Sequence, residues 1–376
     1  MHCASVGETN AVLPLIEELA ARGFAPLLTT GTVTAAEVAG PRLPRGAIHQ
    51  FVPFDLPVAV GRFLDHWQPD LALFAESELW PTMLSELRRR SIPLAVVNAR
   101  MSDRSFRAWG RFSSLARAVL SRPTLFLAQT AADAARLRSL GAAQVAVCGN
   151  LKFDAPAPAA DTAEVEAMRR AIGARPVLVA ASTHPGEDEH VIAAHREVAE
   201  SGTPLLTIIA PRHRQRGEAI AAIARAAGLS TTLRSRGEGI GVVTDIYLAD
   251  TVGEMGLWYR LADVAFLGGS LAPRGGQNPI EPAKLGVPIV HGGNLGNFRD
   301  VYEALIEAKA TVMLGDPAAL GASLRRLLRD EAERTGLVRH ASDCIGRFTG
   351  ALDRTLKALD PLLAKPRHSH EASARA

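Results

Sequence analysis

The chain has 376 residues and no run of about eighteen apolar ones, so nothing in it reads as a membrane span. No secretory signal pattern opens it either. Its three cysteines, Cys3, Cys148 and Cys344, are far apart and match no zinc spacing. That excludes a disulfide framework and points to a reducing compartment. G-x-G-x-x-G and G-x-x-x-x-G-K-[ST] are both missing, which removes the dinucleotide fingerprint and the P-loop. H-E-x-x-H and G-x-S-x-G are missing too. No D-x-D pair exists to hold a metal on a diphosphate, and no metal site or cofactor is expected. Charge of one sign is scarce: 42 Lys and Arg against 39 Asp and Glu leave a net +3, too small an excess to argue for nucleic acid.

What is present is ordinary for a soluble globular chain, with 47% hydrophobic and 22% charged residues and a length that suits two domains. Short apolar runs alternate with amphipathic helical patterns. Strands are predicted at 25–29, 49–52, 71–75, 94–98, 125–128 and 145–148, with helices at 57–67, 80–90, 106–121 and 131–140 between them. The start, at 1–5, reads as a clipped first strand. An Ala/Pro run at 154–162 reads as a linker. A second series follows at 177–181, 205–209, 242–248, 264–267, 288–290 and 311–314, with closing helices at 317–328 and 351–363. Such alternation implies α/β architecture: two doubly wound, Rossmann-like parallel sheets facing a cleft, over domains 1–155 and 156–364. The polar stretch 365–376 reads as a disordered tail. Ligands of such sheets bind beyond the carboxyl ends of the strands.

The residues at those ends carry the chemistry. The segment 266–282 runs from a strand through Gly268, Gly269 and Ser270 and a second glycine pair to Asn278, Pro279, Ile280 and Glu281. Strand, glycine-rich loop and helix start would present N–H groups and a positive dipole end to a phosphate, with Glu281 accepting from ribose hydroxyls. Arg212, after Pro211, sits at a strand exit suited to bidentate phosphate contact. Ser182 and His184 leave one neighbouring strand, and Val252, Gly253 and Glu254 another. In the first half, Glu8 follows Ser5 and Gly7 at a strand-to-helix turn. It is either a general base or a first-turn glutamate favoured by the helix dipole. Glu76 and Glu78 read as a carboxylate pair at a strand exit, or as a cap in which Ser77 precedes a first-turn Glu78. Asn98 and Arg100 offer polar recognition chemistry, or a solvated loop.

Together the motifs SVGE (5–8), ESELWP (76–81), NARMSDRS (98–105), GNLKFD (149–154), ASTHPGE (181–187), APRH (210–213), DTVGE (250–254) and GGSLAPRGGQNPIEP (268–282) resemble the 3-deoxy-D-manno-octulosonic acid (Kdo) transferases of lipopolysaccharide assembly. The resemblance runs from residue 5 to about 363. It implies a two-domain GT-B glycosyltransferase that moves Kdo from CMP-Kdo to a lipid A precursor (lipid IVA), with inversion and without a metal. It implies Glu8 as the general base, and Pro211, Arg212, Val252, Gly253, Glu254 and 278–281 as CMP-binding positions. It implies work at the cytoplasmic face of the inner membrane. The family's usual N-terminal anchor is not seen in this sequence. Membrane contact would then be peripheral, through a face where Arg104, Arg107 and Arg111 interleave with Phe106, Trp109 and Phe112, unless that stretch is an ordinary amphipathic helix. The competing readings are another GT-B nucleotide-sugar transferase or epimerase, and a non-catalytic homologue that binds lipid A or CMP.

Overall fold

A computed structural model of the chain describes residues 1–364. It divides into two compact units, Met1–Ala155 with residues 348–364, and Pro156–Arg347.

The first unit is a seven-stranded sheet: β1 (His2–Cys3), β2 (Leu27–Thr30), β3 (Ile48–Phe51), β4 (Ala72–Ala75), β5 (Leu94–Ala99), β6 (Leu125–Ala128) and β7 (Val145–Val147), in the order β3-β2-β1-β4-β5-β6-β7. Every pairing is parallel. Central strands such as β4 and β5 are buried along their whole length, as expected when helices cover both faces. The second unit repeats the plan with β8 (Val177–Thr183), β9 (Leu206–Pro211), β10 (Thr231–Leu233), β11 (Ile246–Leu248), β12 (Val264–Leu267), β13 (Ile289–His291) and β14 (Thr311–Met313), in the order β10-β11-β9-β8-β12-β13-β14. These strands are also parallel throughout. The strand order reverses between β1 and β4 in one sheet and between β8 and β12 in the other, which are the ligand-binding switch points of doubly wound sheets.

The division corrects the sequence expectation at the chain's far end. The helix Ala351–Leu363, read as closing the second domain, packs in the first: Ala351, Leu356 and Leu359 share one apolar cluster with Leu15, Ile16 and Leu127. Asp154 fixes its start, accepting from the backbone N–H of Gly350 at 2.7 Å and of Leu352 at 2.6 Å. Arg354 Nε donates to the Cys148 carbonyl at 2.8 Å. An amphipathic pattern shows that a helix has an apolar face, but not which core that face meets. The expected tail, 365–376, lies outside the described residues.

Smaller differences have local causes. The helix predicted at 106–121 is two, Asp103–Gly110 and Ser113–Leu120, broken at Phe112 with φ −125° and ψ 57°. The run 242–248 shortens to β11 because Val242 and Val243 stand in solvent. β10 and the helix Glu331–Gly346 have weak apolar periodicity and were not foreseen. The Ala/Pro linker is anchored at its second end. Arg260 Nη1 donates to the Pro158 carbonyl at 2.6 Å, and a Cβ at Gly256 would lie 2.1 Å from the Ala159 carbonyl oxygen.

Asp154→Ala removes two charge-assisted contacts at a helix start, so docking of the last helix should weaken by about 1–2 kcal/mol. Amide hydrogen exchange along Ala351–Leu363 should accelerate. Unaltered protection would show that apolar packing alone holds the helix.

Candidate functional site

At the switch point of the first sheet, β1 ends and the helix Val6–Ala21 begins. Ser5 caps that helix, its Oγ accepting from the Glu8 N–H at 3.3 Å. Glu8 returns the contact: Oε1 accepts from Ser5 Oγ at 2.9 Å and Oε2 from the Ala4 N–H at 2.8 Å. The first-turn glutamate and the positioned carboxylate are therefore the same arrangement, close to a capping box. Glu8 is buried, and burial pushes its carboxyl above the usual carboxylate range. The neighbouring Glu76 and Glu78 carboxylates push the same way, while the Ala4 and Ser5 hydrogen bonds pull back. Gly7 lies exposed on the same turn.

The other expected residues of this unit are more occupied than the sequence implied. Glu76, in the left-handed region at φ 54°, forms an ion pair with Lys152 Nζ at 2.6 Å. Glu78 Oε2 accepts from Trp80 Nε1 at 2.7 Å. Ser77 caps nothing: the helix Pro81–Arg89 starts later and is held by Asp55, whose carboxylate accepts from the N–H of Thr82 at 3.0 Å and of Met83 at 2.8 Å. Asn98 is buried and ties down the chain. Its Oδ1 accepts from the Leu151 N–H at 3.0 Å, and its φ of 52° marks a register shift between β5 and β6. Arg100 is half-buried at the end of β5.

In the second unit four adjacent strands, β11, β9, β8 and β12, send their polar exits to one edge. The centre of that edge is a residue the sequence reading passed over. Glu187, 1% exposed, accepts four backbone N–H groups. Oε2 takes those of His184 at 2.8 Å and Gly269 at 2.7 Å, and Oε1 those of Leu271 at 2.9 Å and Ala272 at 3.2 Å. One carboxylate thus joins the exit of β8 to the glycine-rich loop after β12. The carbonyl side of that loop is held by Asn294, by Asn297 and by Tyr302, whose hydroxyl donates to the Gln277 carbonyl at 2.7 Å. The P-G turn between His184 and Glu187 was the available signal, because it folds the glutamate back over its own strand exit.

This clamp corrects the reading of the loop. The N–H groups of Gly269, Leu271 and Ala272 are spent on Glu187 and do not face a phosphate. Gly268 answers a close approach: a Cβ there would lie 2.5 Å from the carbonyl oxygen of Ser182, which bulges from β8 at φ 54°. Ser270 is wholly buried, its Oγ donating to the Leu267 carbonyl at 2.5 Å and accepting from the Gly292 N–H at 2.8 Å. The following helix, Ile280–Lys284, has only five residues and a correspondingly small dipole. Pro279 and Ile280 are buried and shape the turn. Asn278 Oδ1 accepts from the Ile280 N–H at 3.0 Å, and Asn278 Nδ2 donates to Glu281 Oε1 at 3.1 Å.

Other groups remain available at this edge. Arg212 is exposed, with its N–H bound to the Thr183 carbonyl at 3.0 Å beside Pro211. His184 is half-buried. Burial lowers its pKa; Glu187 opposes the shift, and His213, Arg274 and Arg212 add to it. Behind it, Arg216 pairs with the fully buried Asp188. Glu254 is bound by Arg234, which also reaches Glu164 and lies 5.6 Å over the Trp258 ring. Burial would raise the Glu254 pKa, but the Arg234 and Thr251 hydrogen bonds outweigh it and hold it low. Val252 and Gly253 project from that turn into solvent. Among the described residues no group of three or more His, Cys, Asp or Glu is placed to hold a metal ion.

A family model described as 3-deoxy-D-manno-octulosonic-acid transferase (kdotransferase) matches residues 1–155. The 3-deoxy-D-manno-octulosonic acid transferase of Bordetella pertussis is 39% identical, over 96% of this chain and 87% of that protein. The Haemophilus influenzae protein of the same name is 32% identical, over 97% and 87%. Solved structures show the same fold at low identity. A glycosyltransferase from Rickettsia africae is similar with a TM-score of 0.63 and 11% identity, over 97% of this chain and 98% of that one. The UDP-GlcNAc 2-epimerase of Neisseria meningitidis also gives 0.63, with 12% identity over 95% and 98%. The GT-B class, with two doubly wound domains, therefore stands.

Glu187→Gln turns one acceptor oxygen into a donor facing donors, so the second unit should lose roughly 2–4 kcal/mol of stability. Chemical denaturation measures it. A loss below about 0.5 kcal/mol, the range of ordinary surface changes, would show that the loop does not depend on this carboxylate.

Proposed function

This chain belongs to the 3-deoxy-D-manno-octulosonic acid (Kdo) transferase family of glycosyltransferases, and from that membership we propose that it moves Kdo from CMP-Kdo to a lipid A precursor such as lipid IVA, with inversion at the anomeric carbon. The observation that carries the mechanism is Glu8: a buried carboxylate at the switch point of the first sheet, oriented by Ala4 and Ser5, with its pKa raised. In the proposed step Glu8 takes the proton of the acceptor hydroxyl as its oxygen bonds to the anomeric carbon. The bond from that carbon to the phosphate oxygen breaks, and CMP leaves as a monoester. A raised pKa brings the base closer to neutral pH, where proton transfer is most effective. Arg212 stabilises the charge on the leaving phosphate, and Asn278 and Glu281 face the ribose. No metal is required in this scheme.

The acceptor is a lipid, and the first unit offers surface for peripheral contact at the cytoplasmic face of the inner membrane. Arg104, Arg107 and Arg111 are exposed. Of the expected aromatic face, Phe106 and Trp109 pack partly on the core, while Phe112 is 65% exposed. The segment after β3 adds Phe54, 83% exposed, with Leu56 and Val58. Among the described residues no helix is long and apolar enough to cross a membrane.

Glu8→Gln should reduce transfer by roughly two to four powers of ten and leave CMP binding intact. Glu8 must be ionised to act, so the wild-type rate should fall as pH drops through its raised pKa, and the variant should lack that limb. Arg212→Ala should weaken CMP binding in calorimetry, and chelators should leave wild-type turnover unchanged. Normal turnover by the Glu8 variant, or activity abolished by EDTA and restored by a divalent ion, would defeat the scheme.

For the lipid surface, flotation with anionic vesicles should fall with rising salt and with replacement of Arg104, Arg107 and Arg111 by glutamine. Flotation indifferent to both would put the contact elsewhere.

A further inference from the structure

Two of the arginines near the polar edge of the second unit are already neutralised. Arg216 is neutralised by Asp188, and Arg234 by Glu164 and Glu254. Arg212 and Arg274 both lie within the electrostatic reach of His184, both are exposed, and neither has an ion-pair partner among the described residues. Glu187, the carboxylate that acts on His184, already carries four N–H donors. Arg274 is also held by its backbone: Asn297 Nδ2 donates to its carbonyl at 2.8 Å, and a Cβ at Gly269 would lie 3.4 Å from Arg274 Cβ. The same Cβ would be 3.3 Å from the His184 ring and 3.1 Å from Gln277 Nε2, so the three side chains crowd around one glycine. Gln277 Nε2 and His184 Nε2 are 3.4 Å apart.

Two unneutralised guanidinium groups beside one histidine are more than a phosphodiester requires. A nucleotide-activated 2-ulosonic acid has two anionic groups on one carbon, because its anomeric carbon bears both the leaving phosphate and a carboxylate. We propose that Arg274, with His184 and Gln277, binds the carboxylate of the donor sugar and leaves Arg212 to the phosphate. This inference rests on the donor reading above. It makes Arg274 a determinant of donor class: an aldose carried on a nucleotide has no carboxylate at that carbon and would leave Arg274 desolvated and unpaired.

The test separates product from donor in the full chain without acceptor, so that no transfer occurs. CMP presents the phosphate alone, CMP-Kdo adds the carboxylate, and the carboxamide of CMP-Kdo keeps the shape without the charge. Arg274→Gln should bind CMP within about twofold of wild type and bind CMP-Kdo at least about tenfold more weakly, as for loss of a charge-assisted contact. Wild type should lose a similar factor on the carboxamide, and Arg274→Gln little more. Equal weakening of CMP and CMP-Kdo would assign Arg274 to the phosphate, and no weakening of either would remove it from the site. Either result overturns the proposal and leaves the donor reading standing. Wild-type protein that binds neither CMP nor CMP-Kdo would instead overturn the donor reading, and this inference with it.

Discussion

The carboxylate of Glu187 is the contact on which the second unit's polar edge depends. A glycine-rich loop is cheap to bend and expensive to order, since each glycine loses more freedom on folding than any other residue. Here the cost is offset by charge-assisted bonds made in a buried place, where an unpaired carboxylate would be untenable. The need is mutual: the loop satisfies the glutamate, and the glutamate shapes the loop. His184, Arg274 and Gln277 take their positions from that exchange.

The two sheets reuse one device at their strand ends. Asn98 in β5 and Ser182 in β8 both turn into the left-handed region before the strand has finished, and a register shift with the next strand follows in each. The cost of such a conformation in a residue with a Cβ is modest but real. In the first sheet it lets Asn98 tie down the chain at Leu151. In the second it pushes the Ser182 carbonyl so close to β12 that only glycine fits at position 268. A glycine that looked like part of a phosphate cradle is in this way a consequence of its neighbour's bulge.

Much of this is legible in the sequence. Strands buried on both faces are nearly unbroken apolar runs, so β4, β5, β6, β8 and β12 could be placed within a residue or two at most of their ends. Glu8 stood out because S-x-x-E at a strand exit is a cap signature with a chemical second use. What could not be read was partnership. Nothing in the string ESEL says that Glu76 will meet a lysine seventy-six residues on, or that Asp55 will take the capping place open to Ser77. Ser270 and Glu254 looked available for the same reason: their partners, Gly292 and Arg234, are distant in sequence. Glu187 was missed because its role is toward backbone, and backbone donors leave no compositional trace.

The return of the last helix to the first unit has a consequence for how the protein is made. Residues 1–155 leave the ribosome first and contain the whole of the first sheet, yet Leu15, Ile16 and Leu127 are not covered on that side until Ala351, Leu356 and Leu359 have been synthesised. The earlier-made unit is thus the later one to be completed. Its apolar flank stays open for the time taken to translate the entire second unit, and a nascent chain stalled anywhere before residue 351 exposes it. Asp154, already placed beside that flank, waits as the acceptor for a helix start at Gly350, 196 residues further along the chain.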